Sequence, residues 1–153
     1  MKEFIFPIEN DWMYARHSVI LPDQPTVLCI HGLGDSGLSF QELATQLCLH
    51  GMNVVIPDLL GYGRSSAAKD YSFDAHIARL WNLVDHLGLP QIVLVGHSMG
   101  GDIATRMCKE LTERVTNFIN IEGNLTEFGD WRVKRTHFGA EMGPIWGWVN
   151  HVG

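Results

Sequence analysis

The stretch Ile92-Val93-Leu94-Val95-Gly96-His97-Ser98-Met99-Gly100-Gly101 decides the reading of this chain. Its four leading apolar residues predict a buried strand, and the apolar spacing that follows Ser98 predicts a helix. Between the two lies Gly-x-Ser-x-Gly. In that context the pattern reads as a nucleophile elbow, a serine held at a sharp strand-to-helix turn. The glycines have a physical task. So tight a turn brings backbone close to the serine, and side chains at Gly96 and Gly100 would collide with it. Ser98 is then expected in a strained conformation with its hydroxyl pushed into a cleft. The competing reading of Ser98 is a solvent-exposed N-cap.

Outward from this point, apolar runs alternate with helical patterns. Residues 3–8 and 12–20 predict two short strands joined by the turn Glu9-Asn10-Asp11. Pro22 and Pro25 mark a loop before Thr26-Val27-Leu28-Cys29-Ile30, a strand apolar on both faces. A glycine-rich loop, His31 to Gly37, leads to a helix near 38–50 with Phe40, Leu43, Leu47 and Cys48 on one face and Gly51 as its C-cap. Asn53-Val54-Val55-Ile56-Pro57 predicts another buried strand, followed by the loop Asp58 to Ser66. Ile77, Leu80, Trp81, Val84 and Leu87 give a helix over 73–87 that Gly88 and Pro90 stop. Strand 91–95 enters the elbow, and Ile103, Ala104, Met107, Cys108 and Leu111 share one side of the next helix. Val115 to Ile121 predicts a last strand, ending at Glu122-Gly123-Asn124.

The alternation predicts an α/β fold: a mostly parallel sheet with helices on both faces. Residues 1–124 form this core. Residues 125–153 read as a separate tail. Residues 123–153 hold six of the 16 glycines and three of the five tryptophans with no steady period.

At 153 residues the chain is long enough for one domain with a real core, and 46% hydrophobic with 18% charged residues is globular composition. A net charge of -6 argues against a nucleic-acid partner and gives no attraction to anionic membrane. No apolar run approaches the ~20 residues needed to span a bilayer. The apolar start, Phe4-Ile5-Phe6, is too short for a signal peptide and is flanked by acids, so the chain reads as cytoplasmic. Cys29, Cys48 and Cys108 are odd in number and widely spaced, which suits small buried hydrophobes in a reducing compartment rather than a metal site. Asn124-Leu125-Thr126 fits a glycosylation sequon, a chance match without a secretory signal. Gly32-Leu33-Gly34 is not a phosphate loop, because no Lys-Ser/Thr follows at the required spacing. No cofactor or metal is expected.

Three segments, each at the end of an apolar strand, carry a family resemblance. They are His31-Gly32-Leu33-Gly34-Asp35-Ser36, Pro57-Asp58-Leu59-Leu60-Gly61-Tyr62-Gly63-Arg64-Ser65 and Gly96-His97-Ser98-Met99-Gly100-Gly101. In this order and spacing, residues ~25–124 resemble the N-terminal part of the α/β-hydrolase fold, serine hydrolase type. The resemblance implies a site at the carboxyl ends of the strands, where open α/β sheets bind ligands. Ser98 would be the nucleophile. The backbone N–H groups of Leu33 and Met99 would form the oxyanion hole. That of Met99 also opens a helix, where it is unpaired and at the positive end of the dipole. A serine, rather than the aspartate of dehalogenases on this fold, implies acyl chemistry on a small ester, thioester or related acyl substrate, or another serine-dependent reaction of the family.

Glu122 matches the acid position of those family members that place it one strand early; its other reading is a loop glutamate capping its own turn. In this fold the histidine comes last. Only His137 and His151 follow Glu122, and each reads as a tail residue before it reads as the base, which another chain could supply instead. His97 is expected to point away from the substrate side, and His31 to be structural. His17, His50, His76 and His86 fall on strand or helix surfaces expected to be exposed. Asp58 and Arg64 are expected to shape the sheet top, and Asp102 to complement the helix dipole.

The resemblance further implies that this chain carries the first six strands without the last two. An apolar sixth strand at the sheet edge would template pairing with a second copy, so a homodimer through that edge is expected unless the tail covers it. The tail could instead begin a lid lined by Trp131, Trp146 and Trp148, or be an unrelated end. Two functions follow. One is a cofactor-free serine hydrolase of small acyl substrates. The other is a non-catalytic short form that binds a ligand or a partner chain.

Overall fold

A computed structural model describes residues 1–8, 11–110 and 113–123. The expected tail at 125–153, with His137 and His151, lies outside the described residues, as do Glu9, Asn10 and Leu111. Six strands form one sheet: β1 (Lys2–Ile8), β2 (Asp11–His17), β3 (Thr26–Ile30), β4 (Asn53–Pro57), β5 (Ile92–His97) and β6 (Val115–Ile121), in the spatial order β1-β2-β4-β3-β5-β6. The β1–β2 hairpin is antiparallel and joins β4 antiparallel, whereas β4, β3, β5 and β6 run parallel to one another. The fold is therefore α/β with a mostly parallel sheet, as the alternation predicts.

Among the described residues three α-helices accompany the sheet: α1 (Gln41–Leu49), α2 (Phe73–His86) and α3 (Met99–Glu110). They cover opposite faces, and the strand side chains divide accordingly. Phe40 and Ala44 close over Val27, Cys29, Val54, Ile56 and Val95. On the other face Ile77, Leu80 and Val84 of α2 and Ile103, Ala104 and Met107 of α3 pack with Leu28, Ile30, Val55 and Leu94. Alternating residues of β3 thus serve two cores, which is why this strand is apolar throughout.

Several boundaries differ from the sequence reading, each for a local reason. The second strand ends at His17 instead of reaching residue 20. Beyond it the backbone turns to side-chain partners: Leu21 N–H donates to Asn53 Oδ1, and Asn53 Nδ2 donates back to the Leu21 carbonyl. The helix expected over 38–50 divides into a 3-10 turn, Gly37–Phe40, and α1. Gly37 N–H donates to the buried Asp58 carboxylate at 2.8 Å, which fixes the first turn against β4. As a result Phe40 and Ala44 face the core, and Leu43 is exposed. Strand β5 runs two residues further than expected and ends immediately before Ser98.

His76 also corrects an expectation: it is buried, not exposed. It lies four residues before Leu80 and eight before Val84, on the inward row of α2. Strand β6 matches its expected span and is the outermost strand on its side among the described residues, but most of its side chains are partly exposed.

Candidate active site

Strand β5 ends at His97 and α3 begins at Met99, so Ser98 alone makes the turn. Its φ of 51° lies in the left-handed region, which strains any residue with a Cβ. Backbone bonds hold it there. Ser98 N–H donates to the Ile121 carbonyl at 2.8 Å, which ties the elbow to β6. The Ser98 carbonyl accepts from Gly101 N–H at 2.8 Å and Asp102 N–H at 3.3 Å, which starts α3. A Cβ on Gly96 would strike the Gly100 carbonyl, and one on Gly100 would strike the carbonyls of Ile30 and His31. The glycine spacing therefore lets α3 begin directly against the ends of β3 and β5.

The glycine-rich loop after β3 lies against the elbow, where a Cβ on Gly32 would stand 3.2 Å from Ser98 Cβ. Among the described residues Leu33 N–H donates no hydrogen bond. Met99 N–H is the first of its helix and has no intrahelical acceptor. The sheet thus brings together Ser98, both expected oxyanion amides and Glu122 at the ends of the adjacent strands β3, β5 and β6. Glu122 has a φ of 57°, and its exposed carboxylate faces the neighbouring imidazole, with Oε2 3.7 Å from His97 Nε2.

His31 is fully buried behind the loop. Its Nδ1 lies 2.8 Å from the Gly32 carbonyl, and its Nε2 lies 2.9 Å from Leu59 N, which donates to it. Burial holds its pKa below the ordinary histidine value, partly opposed by the Gly32 carbonyl bond. With both nitrogens engaged, His31 is not free to take a proton from Ser98. This bonding was not legible in the sequence, because Leu59 is remote in the chain and its amide carries no sequence signal.

Asp58 is also fully occupied. It accepts from Gly37 N–H and Arg64 N–H, both at 2.8 Å, and from the Arg16 guanidinium at 3.4 Å. Arg64 in turn donates to the Tyr14 hydroxyl at 2.8 Å and to Glu3 at 3.2 Å. These contacts bind the loop after β4 to the β1–β2 hairpin. An open cleft of ≈ 450 Å³ beside them is lined by Met1, Glu3, Arg16, Leu38, Gln41 and Arg64, away from Ser98. Its two guanidiniums are already paired with Glu3 and Asp58. Burial pushes the Cys29 and Cys108 thiols up to about 12, so neither supplies a thiolate. Among the described residues no group of three His, Cys, Asp or Glu side chains is placed to hold a metal ion. None of the helices described is long and apolar enough to cross a membrane.

Residues 25–142 match the family model described as the alpha/beta hydrolase fold. The chain belongs to that family. Among the relatives of this alpha/beta hydrolase chain is the magnesium-chelatase 30 kDa subunit of Rhodobacter capsulatus, 35% identical over 69% of this chain and 37% of that protein. Lipase LipV of Mycobacterium tuberculosis is 34% identical over 63% of this chain and 36% of its own length. The thioesterase domain from the curacin biosynthetic pathway superposes with a TM-score of 0.74 at 33% identity, covering 80% of this chain and 46% of that domain. The chain spans about a third of the length of the curated relatives it matches.

Proposed function

We propose that this alpha/beta hydrolase chain is a serine-dependent acyl hydrolase acting on a small ester or thioester. The observation that carries the reading is the backbone at Ser98. A strained left-handed serine stands between a strand and a helix, beside two amides without partners among the described residues. Strain of this kind costs on the order of 1–3 kcal/mol and persists where function uses it. Ser98 Oγ attacks the acyl carbonyl, and its proton passes to a histidine that returns it to the departing alcohol or thiol. Water then repeats the sequence on the acyl-enzyme and releases the acid. Leu33 and Met99 N–H groups receive the oxyanion, and one such donor contributes roughly 3 kcal/mol to lowering the barrier. Two relatives are named as a lipase and a thioesterase, which fits cleavage of acyl–oxygen and acyl–sulfur bonds.

The reading assigns the histidine to His137, His151 or one supplied by another chain, and the carboxylate that orients it to Glu122. The seat of Glu122 beside the end of β5 supports that assignment. A non-catalytic role in binding a ligand or partner chain is favoured by one contact, since the Glu122 carboxylate faces His97.

A fluorophosphonate probe and a nitrophenyl ester separate the two. The acyl hydrolase is labelled and turns the ester over, and Ser98→Ala reduces both by at least about a thousandfold without loss of fold. His137→Ala or His151→Ala lowers labelling comparably. A folded wild-type chain that neither labels nor turns over would establish the non-catalytic reading.

A further inference from the structure

We propose that Asn120 is the positioning residue of Glu122: its buried side-chain amide closes the turn after β6 and thereby aims the Glu122 carboxylate at the end of β5. The proposal rests on the acyl-hydrolase reading, in which that carboxylate orients the histidine.

The argument begins with strain. Among the described residues two that are not glycine have a positive φ, Ser98 at 51° and Glu122 at 57°. They follow the ends of the neighbouring strands β5 and β6. A glycine would take the Glu122 conformation freely, whereas a residue with a Cβ is strained there. Surrounding contacts must therefore hold Glu122 in place.

Two hydrogen bonds do so, one on each side of its Cα. The Ile121 carbonyl belongs to the peptide before Glu122 and accepts from Ser98 N–H at 2.8 Å. The Gly123 N–H belongs to the peptide after it and donates to Asn120 Oδ1 at 2.8 Å. A backbone N–H can only donate, so the Asn120 atom that it meets is the oxygen. Asn120 Nδ2 then turns to the Gly123 carbonyl at 3.4 Å. With both flanking peptides fixed, the direction of the Glu122 Cα–Cβ bond is fixed as well. The Glu122 side chain is 82% exposed, so packing does not aim it and the backbone must. Its Oε2 reaches 3.7 Å from Nε2 of His97, the last residue of β5.

The seat of the amide is built into the fold. Asn120 pairs with Gly96 in the β5–β6 register and is 4% exposed. Its Oδ1 occupies the space that a Cβ on Gly101 or on Gly123 would need. Gly101 lies in the first turn of α3. The amide is thus pinned between the helix that Ser98 opens and the turn that carries Glu122, and it sets the spacing of the two.

Hydrogen exchange tests the clamp without reference to activity. Leucine matches asparagine in branching and removes both of its hydrogen bonds, whereas aspartate keeps the acceptor for Gly123 N–H. In the wild type the Gly123 amide is expected to exchange at least about tenfold more slowly than an open backbone amide. Asn120→Leu is expected to remove that protection while the amides of β5 keep theirs, and Asn120→Asp to retain it. A wild-type Gly123 amide that exchanges at the open rate would overturn the proposal.

Kinetics test what the clamp acts through. Asn120→Leu is expected to lower kcat for the nitrophenyl ester by about tenfold with KM changed less than about twofold. In a Glu122→Gln background the same substitution is expected to cost less than about twofold, because effects that pass through one group do not add. An equal loss in both backgrounds, or unchanged kcat in a folded Asn120→Leu variant, would overturn the proposal. A chain whose Gly123 amide is protected but which fluorophosphonate never labels would refute the acyl-hydrolase reading and leave the clamp on Glu122 standing.

Discussion

Ser98 and its glycines concentrate the architecture in a few backbone atoms. Gly100 is closed to any side chain because the carbonyls of Ile30 and His31 occupy the space a Cβ needs. Backbone cannot move aside as a flexible side chain can, so Gly100→Ala must displace α3 from β3. Its expected cost in urea unfolding is about 2 kcal/mol or more. Gly34 is the control. Its φ of 74° disfavours alanine, but nothing stands within 4 Å of the added carbon. Gly34→Ala should cost only ~1 kcal/mol, and a reversed order would contradict the packing described at the elbow. This part of the site was legible in the sequence because steric need is written directly as residue type. A glycine on each side of a serine, after an apolar strand, has few other uses. The tie from Ser98 N–H to Ile121 was not legible, since a backbone bond leaves no mark on residue identity.

Among the elements, α2 shows both the strength and the failure of periodicity. Its apolar spacing gave the helix within a residue at its C-terminal end, and Ser72 caps it by accepting from Ala75 N–H. The polarity of His76 predicts a surface position, yet the residue shares the inward row of Leu80 and Val84. In the fold its ring lies 6.4 Å, centroid to centroid, from both Tyr62 and Tyr71, and Nδ1 has no hydrogen-bond partner among the described residues. Burial lowers its pKa to about 4 from the ordinary 6.5, with Arg79 and His31 adding to the effect and Asp70 opposing it. The folded state therefore keeps His76 neutral while the unfolded chain takes up a proton near pH 6.5. The stability this represents is present above that pH, falls as pH drops toward 4, and does not fall further below it. Discounted for solvent screening, the loss is on the order of 2 kcal/mol. Urea unfolding of His76→Phe between pH 7 and pH 4 should show a shallower decline than wild type, and parallel curves would count against the assignment. Leu43 is the converse error, an apolar residue that a fixed contact at Gly37 rotates into solvent.

At the scale of the whole molecule, the sheet order leaves β6 with one neighbour among the described residues. Its partly exposed Ile119 and Ile121 lie beside backbone groups able to pair with another strand. The expected outcome is association that rises with protein concentration in sedimentation velocity and is reduced by Ile119→Lys. A monomer at every concentration, unaffected by the lysine, would refute pairing at this edge. The layer architecture was legible because a parallel sheet buried on both faces needs strands apolar throughout, and Thr26–Ile30 and Asn53–Pro57 are such strands. The spatial order was not, because apolar strands do not specify their neighbours. That order has a consequence for biosynthesis. Strand β3 finds one neighbour at Val54 and the other at Val93, so its two flanks are closed at different times. On the ribosome, Thr26–Ile30 emerges long before the segment ending at His97 and waits with one side bare. A chaperone that recognises nascent hydrophobic strands would find its binding window on this polypeptide in that interval.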